Sequence, residues 1–194
     1  MEFWLGYGST YTYLTVMRIE ALAARHGVAV EWKPIKLLSL MRELGSPSGP
    51  FLERPEKLKY MYRDVERRAQ RHGLRYVQAP YPVDTRQTER VGRVAAQQGW
   101  CADFTRAVFE MNFTGGPTIG TPGALEAAIA RCRQDPAAVL AQAASAEVAG
   151  WLEADTRRAR ELGIFGSPSF TVGSELFWGD DRLEDAVELA VARA

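Results

Sequence analysis

The sequence predicts an α/β fold in which a small sheet draws its strands from both ends of the chain and carries a large all-α insertion between them. Three observations lead there. A short apolar stretch at the N-terminus hands over to a helix and then to a second β-rich stretch. Two further β-rich runs stand side by side near the C-terminus. The chain between these ends reads as helices punctuated by Gly and Pro.

Taken in order, Glu2–Leu5 (EFWL) is short, apolar and aromatic, as a buried strand would be. Gly6 and Gly8 loosen the turn that follows. Ser9 or Thr10 then caps a helix predicted from Tyr11 to about Arg25, with His26-Gly27 as its stop. VAVEWKPI, from Val28, is rich in β-branched and aromatic residues and completes a β-α-β unit, expected to be parallel and right-handed. A Gly/Pro/Ser-rich loop from about Gly45 to Pro50 interrupts the pattern. Pro55 suits the first position of a helix, with Glu56 beside it, and that helix should reach Arg71 before His72-Gly73 closes it. Helical stretches follow near 84–98, 101–112, 121–133 and 136–162, with Asp84, Thr121 and Asp135 as candidate caps. Ser169–Val172 and Glu175–Trp178, joined by Gly173-Ser174, read as a tight antiparallel hairpin. A last helix runs from about Asp180 to Ala192.

The predicted division is therefore 1–36 (β-α-β), 37–160 (helical insertion) and 161–194 (β-β-α), without internal repeats. Split halves of this kind, with a proline entering the first hairpin strand, fit a thioredoxin-like sheet. In such a sheet the Ser9 turn and the Pro168 turn face each other.

Composition narrows the function. Lys+Arg and Asp+Glu both number 24 in 194 residues, so no global charge favours nucleic acid or an acidic membrane surface. No apolar run approaches a membrane span, and the N-terminus lacks the pattern of a secretory signal. Cys101 and Cys132 lie in helical stretches and form no motif; two free thiols in the cytoplasm are expected, and no metal site.

The chemistry gathers at the two facing turns. Ser9 and Thr12 stand three apart at a helix start, where a thioredoxin-type oxidoreductase would need two sulfurs. Hydroxyls cannot exchange disulfides, so an active site here must receive its sulfur on another molecule. A helix N-terminus favours an anion such as a thiolate, and a serine hydroxyl can donate a hydrogen bond to it. Ser9 as a simple helix cap is the competing reading. A Ser/His/Asp triad is not available, since His26 and His72 both sit at helix ends. In GSPSF the Ser167–Pro168 bond, if cis, turns the Ser167 backbone toward a peptide-like ligand; a trans proline opening an edge strand is the alternative. In FWGDDRL, Asp180 and Asp181 open the last helix, where a carboxylate complements the dipole or grips an ammonium group. Glutathione has the matching parts: thiol, peptide backbone and γ-glutamyl ammonium.

GSTYTYL, RPEKLKYMYRDVERRA and GIFGSPSFTVGSELFWGDDRL together resemble the 2-hydroxychromene-2-carboxylate isomerase family, relatives of kappa-class glutathione transferases and DsbA-type oxidoreductases. The resemblance implies glutathione as cofactor, a small aromatic carboxylate as substrate and a homodimer. By position it places Ser9 at the glutathione sulfur as the catalytic residue. Ser167 and Pro168 fall against the peptide backbone, Asp181 with Arg182 at the γ-glutamyl end, and Lys57 at the mouth of the site. Thr10 and Thr12 depart from the family's proline and serine. The family's Thr-Gly-Asn loop reads here as LGSPSGP, with Ser46 or Ser48 as possible substitutes for its asparagine. Lys33, Lys36, Arg42 and Lys57 are the candidate partners of the substrate carboxylate.

The activity implied is a cis–trans isomerisation by reversible thiolate addition. A kappa-type transferase, which consumes glutathione, and a non-catalytic thioredoxin-like binding module are the alternatives. A disulfide oxidoreductase is disfavoured by the missing sulfurs.

Overall fold

The computed structural model describes residues 1–46, 48 and 51–193. Of the predicted 45–50 loop, positions 47, 49 and 50 lie outside the described residues, as does position 194. Strands β1 (Glu2–Leu5), β2 (Glu31–Pro34), β3 (Ser169–Val172) and β4 (Glu175–Trp178) form one sheet in the order β2-β1-β3-β4. β1 runs parallel to β2 and antiparallel to β3, and β3 and β4 form the antiparallel hairpin. This is the predicted β-α-β and β-β-α pairing, with strands from both ends of the chain in register across Phe3 and Phe170.

Strand alternation explains the two-sided core. Phe3 and Leu5 join Phe170 and most of the buried apolar residues of the helices in a large cluster. Trp4, between them, joins Ile35, Leu40, Ala159 and Ile164 in a smaller cluster. Each fully buried side chain of this size contributes about 1.5–3 kcal/mol.

Helices α1 (Thr10–Val16) and α2 (Ile19–Arg25) replace the single helix predicted from Tyr11 to Arg25. No Gly or Pro marks the break. It falls at Arg18, whose guanidinium reaches Asp180 and Glu184 near the other end of the chain. α3 (Leu37–Glu43) is an addition to the sequence reading, and α4 (Pro55–Arg71) has the predicted bounds. α5 (Arg86–Gln98), α6 (Cys101–Phe113) and α7 (Ala124–Arg131) follow closely. The predicted 136–162 helix divides into α8 (Pro136–Ala143) and α9 (Ala146–Glu161), because the Ser145 hydroxyl accepts from the Val148 N–H and starts a new helix. Asp135 caps α8 through the Ala137 N–H. Thr85 holds the N-cap position of α5, with the Asp84 carboxylate accepting the Arg86 N–H at 3.1 Å, and Gly123 rather than Thr121 stands at the N-cap of α7. The last helix opens as a 3-10 turn over Asp180–Arg182 and continues as α10 (Leu183–Ala192). His26 and His72 occupy helix C-caps as expected, and Cys101 and Cys132 are free. No helix among the described residues is long and apolar enough to cross a membrane, and none of their His, Cys, Asp and Glu residues group as a metal site.

Candidate active site

The β1–α1 turn and the turn into β3 meet at the same end of the sheet. Gly6 N–H donates to the Ser167 hydroxyl at 2.9 Å, and the Thr12 and Ser167 hydroxyls are 2.7 Å apart. Ser9 Oγ donates to the Ser167 carbonyl at 2.7 Å. Ser9 stands at the N-cap of α1, yet its side chain caps nothing. Its hydroxyl points across to the other half of the fold, which removes the simple-cap reading. Thr12, at the position of a second sulfur, is fully buried, with its hydroxyl against that of Ser167. The Ser167–Pro168 bond is cis, as is Tyr81–Pro82, which the sequence reading did not anticipate.

A cavity of about 610 Å³ opens at this junction, within the range typical of small-ligand sites. Ser9, Ser167 and Pro168 form part of one wall, Lys57 and Arg68 come from α4, and Asp181 comes from the start of the last helix. Five of the six predicted site positions thus line one space; Arg182 does not. Its half-exposed guanidinium turns to Asp181 at 3.1 Å and Asp185 at 2.8 Å. Of the four candidate cations for a carboxylate, only Lys57 lines the cavity. Lys36 pairs with Glu153 at 2.6 Å and Lys33 with Glu31, both away from it, and Arg42 does not line it either. The Lys57 ammonium lies 5.4 Å from the Phe51 ring centre, with no ion pair among the described residues. Of the two serines in the altered loop, Ser46 lines the cavity and bonds Glu53 at 3.2 Å, whereas Ser48 does not line it.

The two adjacent aspartates have separate roles. Asp180 is 2% exposed and bound by Arg18 at 2.9 Å, Arg68 at 2.6 Å and the Thr15 hydroxyl at 3.0 Å. Asp181 is half exposed and lines the cavity. The turn that separates them needs Gly179: its φ is +112°, and a Cβ there would meet Asp181 Oδ1 at 2.5 Å.

Three features escaped the sequence reading. Tyr11 donates its hydroxyl to Asp64 at 3.0 Å on the cavity wall. Burial, and the carboxylate that accepts its proton, push the Tyr11 phenol well above its ordinary range. Arg68 places a guanidinium at the cavity with Nη2 on Asp180 and a buried Nε that has no hydrogen-bond partner. A buried orphan donor costs about 1–3 kcal/mol. Phe165 and Trp178, with ring centres 4.9 Å apart, form a half-exposed aromatic rim, and Gly166 is what allows the indole so close. The α4 part was traceable: Lys57, Met61, Asp64 and Arg68 repeat at i, i+4, i+7 and i+11, one face of a helix.

The sheet order, the facing turns and the helical insertion define a thioredoxin-fold protein of DsbA architecture. The chain matches the DsbA-like thioredoxin domain over residues 1–190 and belongs to that family. It is 24% identical over 185 residues to a 2-hydroxychromene-2-carboxylate isomerase of Pseudomonas putida, covering 94% of this chain and 90% of the relative. A protein of the same name from Sphingobium xenophagum is 23% identical over 184 residues, covering 95% and 94%. Among solved structures, a 2-hydroxychromene-2-carboxylate isomerase superposes with a TM-score of 0.88 at 23% identity, covering 99% of this chain and 94% of that one. A probable DsbA oxidoreductase from Streptomyces coelicolor gives 0.76 at 21% identity, covering 100% and 90%.

Proposed function

We propose that this chain is a glutathione-dependent cis–trans isomerase acting on 2-hydroxychromene-2-carboxylate or a similar unsaturated aromatic keto acid. The observation that carries the reading is the convergence of Ser9, Ser167, Pro168, Lys57 and Asp181 on one cavity. The names of relatives matched over nearly the whole chain support it.

The residues present suit glutathione. A hydroxyl at a helix start suits its sulfur, an exposed aspartate its ammonium, and a guanidinium a carboxylate, within a cavity of adequate size. When bound, glutathione supplies a thiolate that adds reversibly to a conjugated carbon and makes the double bond briefly rotatable. Ser9 donates to the sulfur and, with the α1 N-terminus, keeps it ionised near neutral pH. Lys57, free of an ion pair among the described residues, takes the substrate carboxylate or the oxygen on which negative charge develops. Tyr11 is a poor acid here because its proton is held by Asp64. Phe165 and Trp178 offer an apolar face to an aromatic ring.

Calorimetric titration with reduced glutathione, followed by an isomerase assay, tests the reading. Saturable binding with catalytic turnover of the keto acid and no net loss of glutathione is expected. Consumption of glutathione in proportion to product would make it a transferase instead. No binding at millimolar thiol would remove the cofactor and the mechanism with it.

A further inference from the structure

Arg68 is held firmly at the cavity but only partly used. Its Nη2 donates to Asp180 at 2.6 Å, while Nε is buried without a partner. Asp180 is itself fixed by Arg18 and Thr15, so the guanidinium is anchored to both α1 and the last helix. Arg18 also pairs with Glu184 at 2.6 Å, so the two guanidiniums face two carboxylates, and of the two cations only Arg68 lines the cavity. One residue along the chain, Asp181 presents a half-exposed carboxylate to the same space. A fixed cation beside a fixed anion complements an ammonium and a carboxylate carried on one carbon.

Spacing selects the ligand's end. Asp180 contacts α1 at Thr15, six residues from Ser9, about 9 Å along a helix. That is the scale of the distance from the glutathione sulfur to its γ-glutamyl α-carbon when extended. Lys57 lies eleven residues before Arg68 on α4, about 16 Å away along the axis, too far to serve the same group.

We propose that Arg68, positioned by Asp180, binds the γ-glutamyl α-carboxylate of glutathione while Asp181 takes the α-ammonium on the same carbon. This inference rests on the glutathione reading above. It uses the accessible part of the Arg68 side chain, which is 25% exposed at the cavity, and divides the cavity's cations: Arg68 for the cofactor, Lys57 for the substrate.

The test is calorimetry on the full chain with glutathione and two analogues. 4-Aminobutyryl-Cys-Gly keeps the ammonium and lacks the α-carboxylate; glutaryl-Cys-Gly keeps the carboxylate and lacks the ammonium. The unaltered protein should bind the first analogue about tenfold to a hundredfold more weakly than glutathione, the scale of a charge-assisted hydrogen bond. Arg68→Met should weaken glutathione by a similar factor and bind that analogue no worse than the unaltered protein does. Asp181→Asn should likewise erase discrimination against glutaryl-Cys-Gly. Equal binding of glutathione and 4-aminobutyryl-Cys-Gly by the unaltered protein overturns the proposal without requiring any variant to fold. So does an Arg68→Met variant that weakens both ligands alike, which would make Arg68 a structural partner of Asp180. Loss of affinity for an aromatic carboxylate alone would assign the guanidinium to substrate and also overturn it. If glutathione itself fails to bind the unaltered protein, the underlying reading falls and this one falls with it.

Discussion

Ser9→Ala asks the sharpest question of the site. The Ser9 hydroxyl has one proton, and that proton is donated to the Ser167 carbonyl at 2.7 Å. To serve a thiolate it must leave the carbonyl, so the gain is a difference between two bonds. A hydrogen bond to a charged acceptor contributes about 1.5–3 kcal/mol and a neutral one about 0.5–1.5 kcal/mol, leaving about 1 kcal/mol in favour of the thiolate. At about 1.4 kcal/mol per pH unit, Ser9 lowers the bound thiol's pKa by about 0.7. The α1 N-terminus is untouched by the substitution and keeps its own contribution.

Ultraviolet thiolate absorbance of bound glutathione, titrated against pH, reads this directly. The Ser9→Ala midpoint should lie about 0.7 pH unit higher, and turnover at neutral pH should fall about fivefold. Because the substitution raises the midpoint, the deficit belongs to pH values below it and should close above it, where the thiol is ionised in both proteins. An unchanged midpoint, or a deficit that persists undiminished in alkali, would refute the hydrogen-bond role and leave Ser9 as a brace for Ser167.

Three further outcomes follow from the packing. Asp180→Ala strips the partly buried Arg68 of its ion pair and leaves Arg18 only Glu184, and urea denaturation should show a loss of about 3–5 kcal/mol; a change below about 1 kcal/mol would mean the network is slack. Glu89 is buried on α5, where the Thr85 hydroxyl donates to it at 2.7 Å, and burial raises its pKa from 4.5 to about 7. An acid raised in this way supports the fold best below pH 4.5 and loses that support as pH rises toward 7. Glu89→Gln should therefore stabilise the chain by about 3 kcal/mol at pH 8 and by little at pH 4.5; equal gains at both would show that the carboxyl does not titrate in that window. Gly92→Ala would set a methyl 2.2 Å from the buried Tyr7 hydroxyl, itself 3.0 Å from Thr105, at a cost of about 1–3 kcal/mol; Gly150→Ala, in open space on α9, should instead gain about 0.5–1 kcal/mol. Thermal denaturation of the pair checks both signs.

Much of the architecture was legible because its signals are local. The hairpin's Gly173-Ser174 turn, the Pro55 start of α4 and the Asp135 cap each act within a few residues, and each lies where the sequence put it. What was misread depends on distant partners. The break between α1 and α2 has no Gly or Pro to mark it and falls at Arg18, whose guanidinium reaches across the fold to Asp180 and Glu184. Lys33 and Lys36 were reasonable candidates for a carboxylate by type, but β2 and its exit direct them to Glu31 and Glu153. For Ser9 the sequence left a helix cap as a competing reading, and only the arrival of Ser167 from the far end of the chain shows where its hydroxyl turns.

The paired aspartates show why motif position alone could not finish the site. Successive residues of a 3-10 turn project about 120° apart, so Asp180 and Asp181 cannot both face the same way. Acidic residues at a first turn are favoured whichever way they point, so the dipole does not choose between them. The choice falls to cations on other elements. Arg18 after α1 and Arg68 on α4 draw Asp180 inward, where desolvation requires paired charges. Asp181 is thereby left at the cavity, half exposed, with the half-exposed Arg182 beside it at 3.1 Å. A reader of FWGDDRL sees two equivalent carboxylates. The fold makes one of them a strut and the other a ligand group, and it does so through residues more than one hundred positions away.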